Sequence, residues 1–190
     1  MYMLKNILLA VLCAFFFSGC YYTIEPIYTE KDIISDDAIL GKWGDPNQKA
    51  KWTFTKEEKE NTYSVIYLSN DGIASTFKIT LVKVGKYKYL DMFVDSKTLE
   101  NKNVEYKAML LGCHFFLRYT LEKDKLMFAN YALGRIEAKL KNKELDLHYF
   151  VRNGGYYFSD STENLQKVII SLEDTKEAFE STPQVLERIK

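Results

Sequence analysis

Apolar and polar residues alternate with period two through most of the middle of the chain. Trp52 and Phe54 share one face of Lys51–Thr55, and Thr62–Ser69 repeats the pattern. Phe77, Ile79 and Leu81 oppose Lys78 and Thr80, and Tyr87–Phe93 forms a further segment. In His114–Leu121, Phe115, Leu117, Tyr119 and Leu121 alternate with Phe116, Arg118 and Thr120, and Leu126–Tyr131 follows a short charged turn. Asn70-Asp71-Gly72, Gly85-Lys86 and Glu122–Lys125 join these runs, turns short enough to pair neighbours antiparallel. Residues 94–107 are polar and predict a long loop.

After Tyr131 the period lengthens. Leu133, Ile136 and Leu140 predict a helix over 132–141. Leu145–Val151 and Tyr156–Phe158 flank Asn153-Gly154-Gly155 as a last hairpin. Leu165, Val168, Ile169 and Leu172 stand at i, i+3, i+4 and i+7, which predicts a helix over 162–172 with an apolar stripe. Asp160 and Glu163 form a capping-box-like start, and Asp174 with Glu177 restarts a short helix that Pro183 ends. The expected fold class is mainly β: an antiparallel meander closing to a barrel or curved sheet, with helices in the C-terminal third. Closure would remove the exposed sheet edges.

The first twenty residues follow a different rule. Lys5 precedes an apolar run from Ile7 to Phe17, closed by Ser18-Gly19-Cys20, the layout of a secretory signal peptide. The run is about half of the roughly 20 apolar residues that span ~30 Å of hydrocarbon. The Phe17-Ser18-Gly19-Cys20 ending resembles the lipobox of bacterial lipoproteins, which prefers Leu, Val or Ile where Phe17 stands. That resemblance implies cleavage before Cys20 and acylation of its thiol. The alternative is ordinary signal peptidase, which would leave a plain secreted protein; cutting before Cys20 would place bulky Phe17 at −3. Residues 1–19 are thus read as a cleaved signal, 20–38 as lipidated Cys20 and a tether, and 39–190 as one domain. Tyr21 and Tyr22 would lie at headgroup level. Tyr21, rather than Asp, after the cysteine implies delivery to the outer membrane in lipoproteins of the Gram-negative type.

Leu40-Gly41-Lys42-Trp43 is similar to the Gly-x-Trp that opens lipocalin barrels. The resemblance implies eight antiparallel strands, a tryptophan packed across the closed end and a late helix. It covers most of residues 40–173 and departs where helix 132–141 interrupts the strands and where no Thr-Asp-Tyr is found.

Charge and chemistry narrow the function. With 26 basic and 26 acidic side chains the chain offers no strong field for nucleic acid. Once Cys13 leaves with the signal and Cys20 is acylated, Cys113 stands alone between apolar neighbours, so no disulfide is expected. Cys113 and His114 point to opposite faces of a strand and form no nucleophile–base pair. Asp146 and His148 share a strand face but lack a nucleophile. Asp91 with Asp95, and Asp36-Asp37, lack the spacing of a calcium loop and any His or Cys partner. No phosphate loop, zinc-protease motif or nucleophile elbow appears. The reading is a membrane-anchored envelope protein, not an enzyme, with no cofactor and no metal. Its domain would bind a small apolar or amphipathic molecule in a hollow barrel, or, as the alternative, dock an envelope protein complex as an adaptor.

Overall fold

The computed structural model describes residues 21–57, 62–94 and 112–190. The signal segment, Cys20, Asp95 and nearly all of the expected loop 94–107 lie outside the described residues. Seven strands run in chain order: β2 (Gly41–Gly44), β3 (Lys51–Lys56), β4 (Tyr63–Leu68), β5 (Ala74–Val84), β6 (Tyr87–Val94), β7 (His114–Glu122) and β8 (Lys125–Ala129). Each pairs antiparallel with the next, except that β2 and β8 are bridged by β11 (Gln184–Ile189), which closes an eight-stranded antiparallel barrel. The fold class expected from the alternation is therefore present, with the two helices α1 (Leu133–Lys141) and α2 (Thr162–Leu172) where the longer period places them.

The closing strand is a correction. A short helix was expected after Asp174, with its end at Pro183. Instead a single 3-10 turn spans Lys176–Ala178, and beyond Pro183 the chain extends as β11. In Gln184–Ile189 only Leu186 is buried, so the strand carries no period-two signal; its partners on both sides create it.

The alternation sorts the side chains into two cores. Odd positions of β5 and β7 (Ile79, Leu81, Leu117, Tyr119) point inward with Trp43, Trp52, Phe54, Tyr63 and Phe128. Phe77, Phe115 and Leu121, also expected inward, pack against this core partly buried. An eight-stranded barrel has an interior just wide enough for side chains to fill. Here Trp52 meets Phe54, Tyr67 and Phe128 with ring centroids 4.8–6.2 Å apart. Trp43 is fully buried (0% exposed), donates from Nε1 to the Ile39 carbonyl at 2.7 Å and lies under the Arg188 guanidinium, 4.2 Å from its ring centre.

Even positions of β5 and β7 point outward, and part of that face is covered. Val82 and Val84 of β5 and Phe116 of β7 join Tyr89 of β6 in a second core, closed by Ile136 and Leu140 of α1 and Leu165, Ile169 and Leu172 of α2. The late helix thus packs on the side of the barrel. Its N-cap is Ser161, whose hydroxyl accepts from the Asn164 N–H at 3.3 Å; Asp160, expected to begin the cap, turns to His148 instead.

The expected tether, 20–38, is the largest departure. Over its described residues it packs on the domain. Tyr21–Thr23 forms β1, pairing parallel with β10 (Gly155–Phe158), which in turn pairs antiparallel with β9 (Tyr149–Arg152). Tyr21 is buried in the outer core rather than held out for lipid. Residues 24–34 then strap across the outer wall, with Ile34 N–H donating to the Leu81 carbonyl and Ile33 bridging Val82. A 3-10 turn at Asp37–Ile39 plugs one barrel end: Ile39 is fully buried, and the interior Tyr63 hydroxyl donates to Asp37 at 2.9 Å. The segment has no hydrophobic period because its bonds are individual and irregular.

Candidate functional site

The residues singled out for chemistry separate in the structure. Cys113 is a half-buried free thiol, pushed up from its usual pKa by burial. His114 faces outward and pairs through Nδ1 with Asp91, whose other oxygen accepts the Ile27 N–H at 3.2 Å. Burial pushes the Asp91 carboxyl up, and the contacts with His114 and Ile27 oppose that shift. This pair was not legible in the sequence, because β6 and β7 are joined across a long insertion. Its surroundings are the strap, with Tyr28 bonded to Thr80 at 3.0 Å beside it, so it pins the strap to the barrel.

His148 pairs with Asp160 at 3.0 Å rather than with Asp146, whose carbonyl instead accepts from Asn164. Its pKa is raised by the hydrogen bond and charge of Asp160. For Asp160, burial pushes upward, but the bonds from His148 and Asn164 outweigh it and the net shift is downward. Asp36 and Asp37 form ion pairs with Lys88 and Lys56, each at 2.8 Å. Among the described residues no group of three or more His, Cys, Asp or Glu side chains is arranged to hold a metal ion.

The more developed site is a cleft of about 560 Å³ on the outer wall. Arg118, on the outward face of β7, sets its guanidinium over two rings, 3.7 Å from the centre of Phe179 and 4.4 Å from that of Tyr87. Arg135 from the first turn of α1 reaches the Glu177 carbonyl at 2.9 Å. At the floor, Glu173 is 6% exposed; one carboxylate oxygen accepts weakly from the Lys86 N–H, and the other has no hydrogen-bond partner. A guanidinium over two aromatic rings beside a buried, half-satisfied carboxylate is the chemistry of a recognition hot spot. In the sequence its one trace was Arg118, two residues from Phe116 on the outward face of the strand.

Gly85 makes the floor of this cleft buildable. It turns with φ of +58°, and a Cβ there would overlap the Glu173 carboxylate. Gly72 has φ of +80° with no heavy atom within 4 Å of the Cβ position. Gly85→Ala is therefore expected to cost about 2 kcal/mol or more, against roughly 1 kcal/mol for Gly72→Ala. Thermal unfolding reads this as a fall of about 4–8 °C for the first and about half that for the second. Equal falls would mean that Glu173 moves aside freely.

The fold and these contacts define a closed eight-stranded antiparallel barrel, consistent with a lipocalin-like barrel, strapped and helix-covered on one side. In comparisons with protein-family models, curated proteins and solved structures, nothing matches this chain.

Proposed function

We propose that this is a lipid-anchored bacterial envelope protein that works without catalysis, docking an envelope protein through the outer wall of its barrel. The observation that carries this reading is that the inward side chains pack on one another while the wall carries the Arg118 cleft. Of the two uses expected of the barrel, an apolar ligand requires a hollow. An apolar cavity between the outer wall and the helices, lined by Tyr21, Phe116 and Leu165 among others, measures about 30 Å³, room for about one water. Small-molecule sites usually need some 300 Å³ or more; the Arg118 cleft has that volume, but Arg118, Arg135, Glu173 and Asp174 line it with charge, which suits a polar protein surface and not an apolar ligand. The signal-like N-terminus and Cys20 support the anchor, and Tyr21 after the cysteine supports outer-membrane delivery.

The test is photo-crosslinking in cells from Ser181, beside the cleft, with Ile73 on the β4–β5 hairpin as control. A single protein adduct from Ser181, absent from Ile73 and lost in Arg118→Glu, is expected. Loss of a central arginine contact costs about 2 kcal/mol or more, roughly 30-fold in affinity. The reading is overturned if solvent extraction of the purified protein releases a stoichiometric apolar molecule besides its acyl chains and no adduct forms.

A further inference from the structure

The ribbon β1-β10-β9 leaves the barrel at His114, the residue opposite Thr23, and ends in an uncovered strand. All four residues of β9 are exposed, Val151 at 56%, Phe150 at 40% and Tyr149 at 38%. Among the described residues β9 pairs only with β10. Across one face of the ribbon run stacked rings: Tyr22 on Tyr157 at 5.0 Å, and Tyr157 on Phe150 at 5.1 Å and 7°. On the other face Tyr149 meets Tyr156 at 5.6 Å. Arg152 ends β9, and the turn Asn153-Gly154, both with positive φ, follows it.

We infer that the β9–β10 hairpin is a membrane-contact element that seats the barrel on the bilayer into which Cys20 is anchored. The inference rests on the lipoprotein reading above and adds the face that touches lipid. Cys20 is bonded to Tyr21, so their Cα atoms stand about 3.8 Å apart. Tyr21 is held in a strand, level with Tyr156 and, through it, with Val151, so the fold begins one residue after the proposed anchor. Because β1 and β10 run parallel, the chain enters from Cys20 at the same end as Arg152, Asn153 and Gly154.

Strands lie about 4.8 Å apart, so β9 is ~10 Å from β1. The headgroup layer on each side of a bilayer is roughly 5–8 Å thick. A hairpin whose outer strand lies ~10 Å from Tyr21, the residue bonded to the proposed anchor, meets that layer. Its composition suits the place: tyrosines and a phenylalanine belong at membrane interfaces, and an arginine can lay its stem along lipid while its head reaches phosphate. A second copy pairing along β9 is the competing occupant, but a lipid anchor one residue before Tyr21 would do nothing to favour it.

The test uses the full-length protein purified from membranes and reconstituted in phosphatidylcholine vesicles, with a tryptophan placed at Val151 or, as control, at Ile73, which is 67% exposed on the β4–β5 hairpin. The native Trp43 and Trp52 are buried inside the barrel and supply a constant background. With brominated phosphatidylcholine, the added emission of Val151→Trp should fall by roughly half or more, as for a side chain ~5–10 Å into the interface. That of Ile73→Trp should not change. Vesicle-bound, acylated protein in which the two probes respond alike would overturn the inference while leaving the anchor intact. A blue shift at position 151 without quenching would assign the hairpin to a second copy or a protein partner, and also overturn it. Mass spectrometry showing no acyl group on Cys20 would remove the lipoprotein reading, and the inference with it.

Discussion

Trp43→Ala is expected to destabilise the domain by about 3–5 kcal/mol, the range for removing a buried aromatic side chain from a packed core. Folded domains hold only ~5–15 kcal/mol in reserve, so this one change threatens the native state. Three losses coincide. The indole is fully buried at the plugged end of the barrel, its Nε1 bond to Ile39 disappears, and Arg188 loses the ring beneath it. Arg188 also holds the carbonyls of Leu40 and Ala38, at 2.7 and 2.8 Å, so the 38–40 segment loosens with it. Trp43→Phe keeps part of the volume and should cost clearly less. Guanidinium denaturation of both variants measures the difference. A cost under about 1 kcal/mol for the alanine variant would mean that the barrel end closes without this residue.

Cys20→Ala is the change with the largest expected effect on function. It should release the protein from membranes and abolish the mass increment of acylation. One acyl chain alone binds at about 10⁴ M⁻¹, whereas two or three make release negligible, at ~0.8 kcal/mol for each buried CH₂. The β9–β10 hairpin offers only a few apolar side chains and cannot substitute for them, so the proposed contact would orient a protein already held by its anchor. The check is fractionation with carbonate washing, with the wild type retained and the variant soluble. Retention of Cys20→Ala through washing, with normal processing, would refute the proposed anchor.

The first of these changes also marks how far the residues alone reach. Trp43 was legible through the likeness of Gly41-Lys42-Trp43 to the Gly-x-Trp of lipocalin barrels, which implies a tryptophan packed at the barrel's end. The strands from Trp52 to Phe128 were legible because each has one face against the interior, and a period of two records it. Asn153-Gly154 announced its turn through the positive φ that both residues tolerate. The helices at Leu133–Lys141 and Thr162–Leu172 announced themselves by one apolar stripe each. Wherever one element meets one surface, the pattern along the chain is the pattern of burial.

Elsewhere burial is shared among several partners, and only the tertiary structure decided the outcome. Residues 24–34 read as a tether because Ile27, Tyr28, Ile33 and Ile34 each meet a different partner, with no common spacing. Gln184–Ile189 reads as a broken helix tail, since its strand identity comes from β2 and β8. Asp91 and His114 meet because β6 and β7 pair across the insertion between them. Arg118 is a surface cation until Phe179, from a segment far along the chain, lies against it. The sequence by itself determined the barrel wall, its turns and its two helices, because local periodicity and turn chemistry encode which face is dry. Whether the interior is full, which strand closes it and where the N-terminal segment lies depend on contacts between residues far apart in the chain, and their volumes and hydrogen bonds are matched only once the chain has closed on itself.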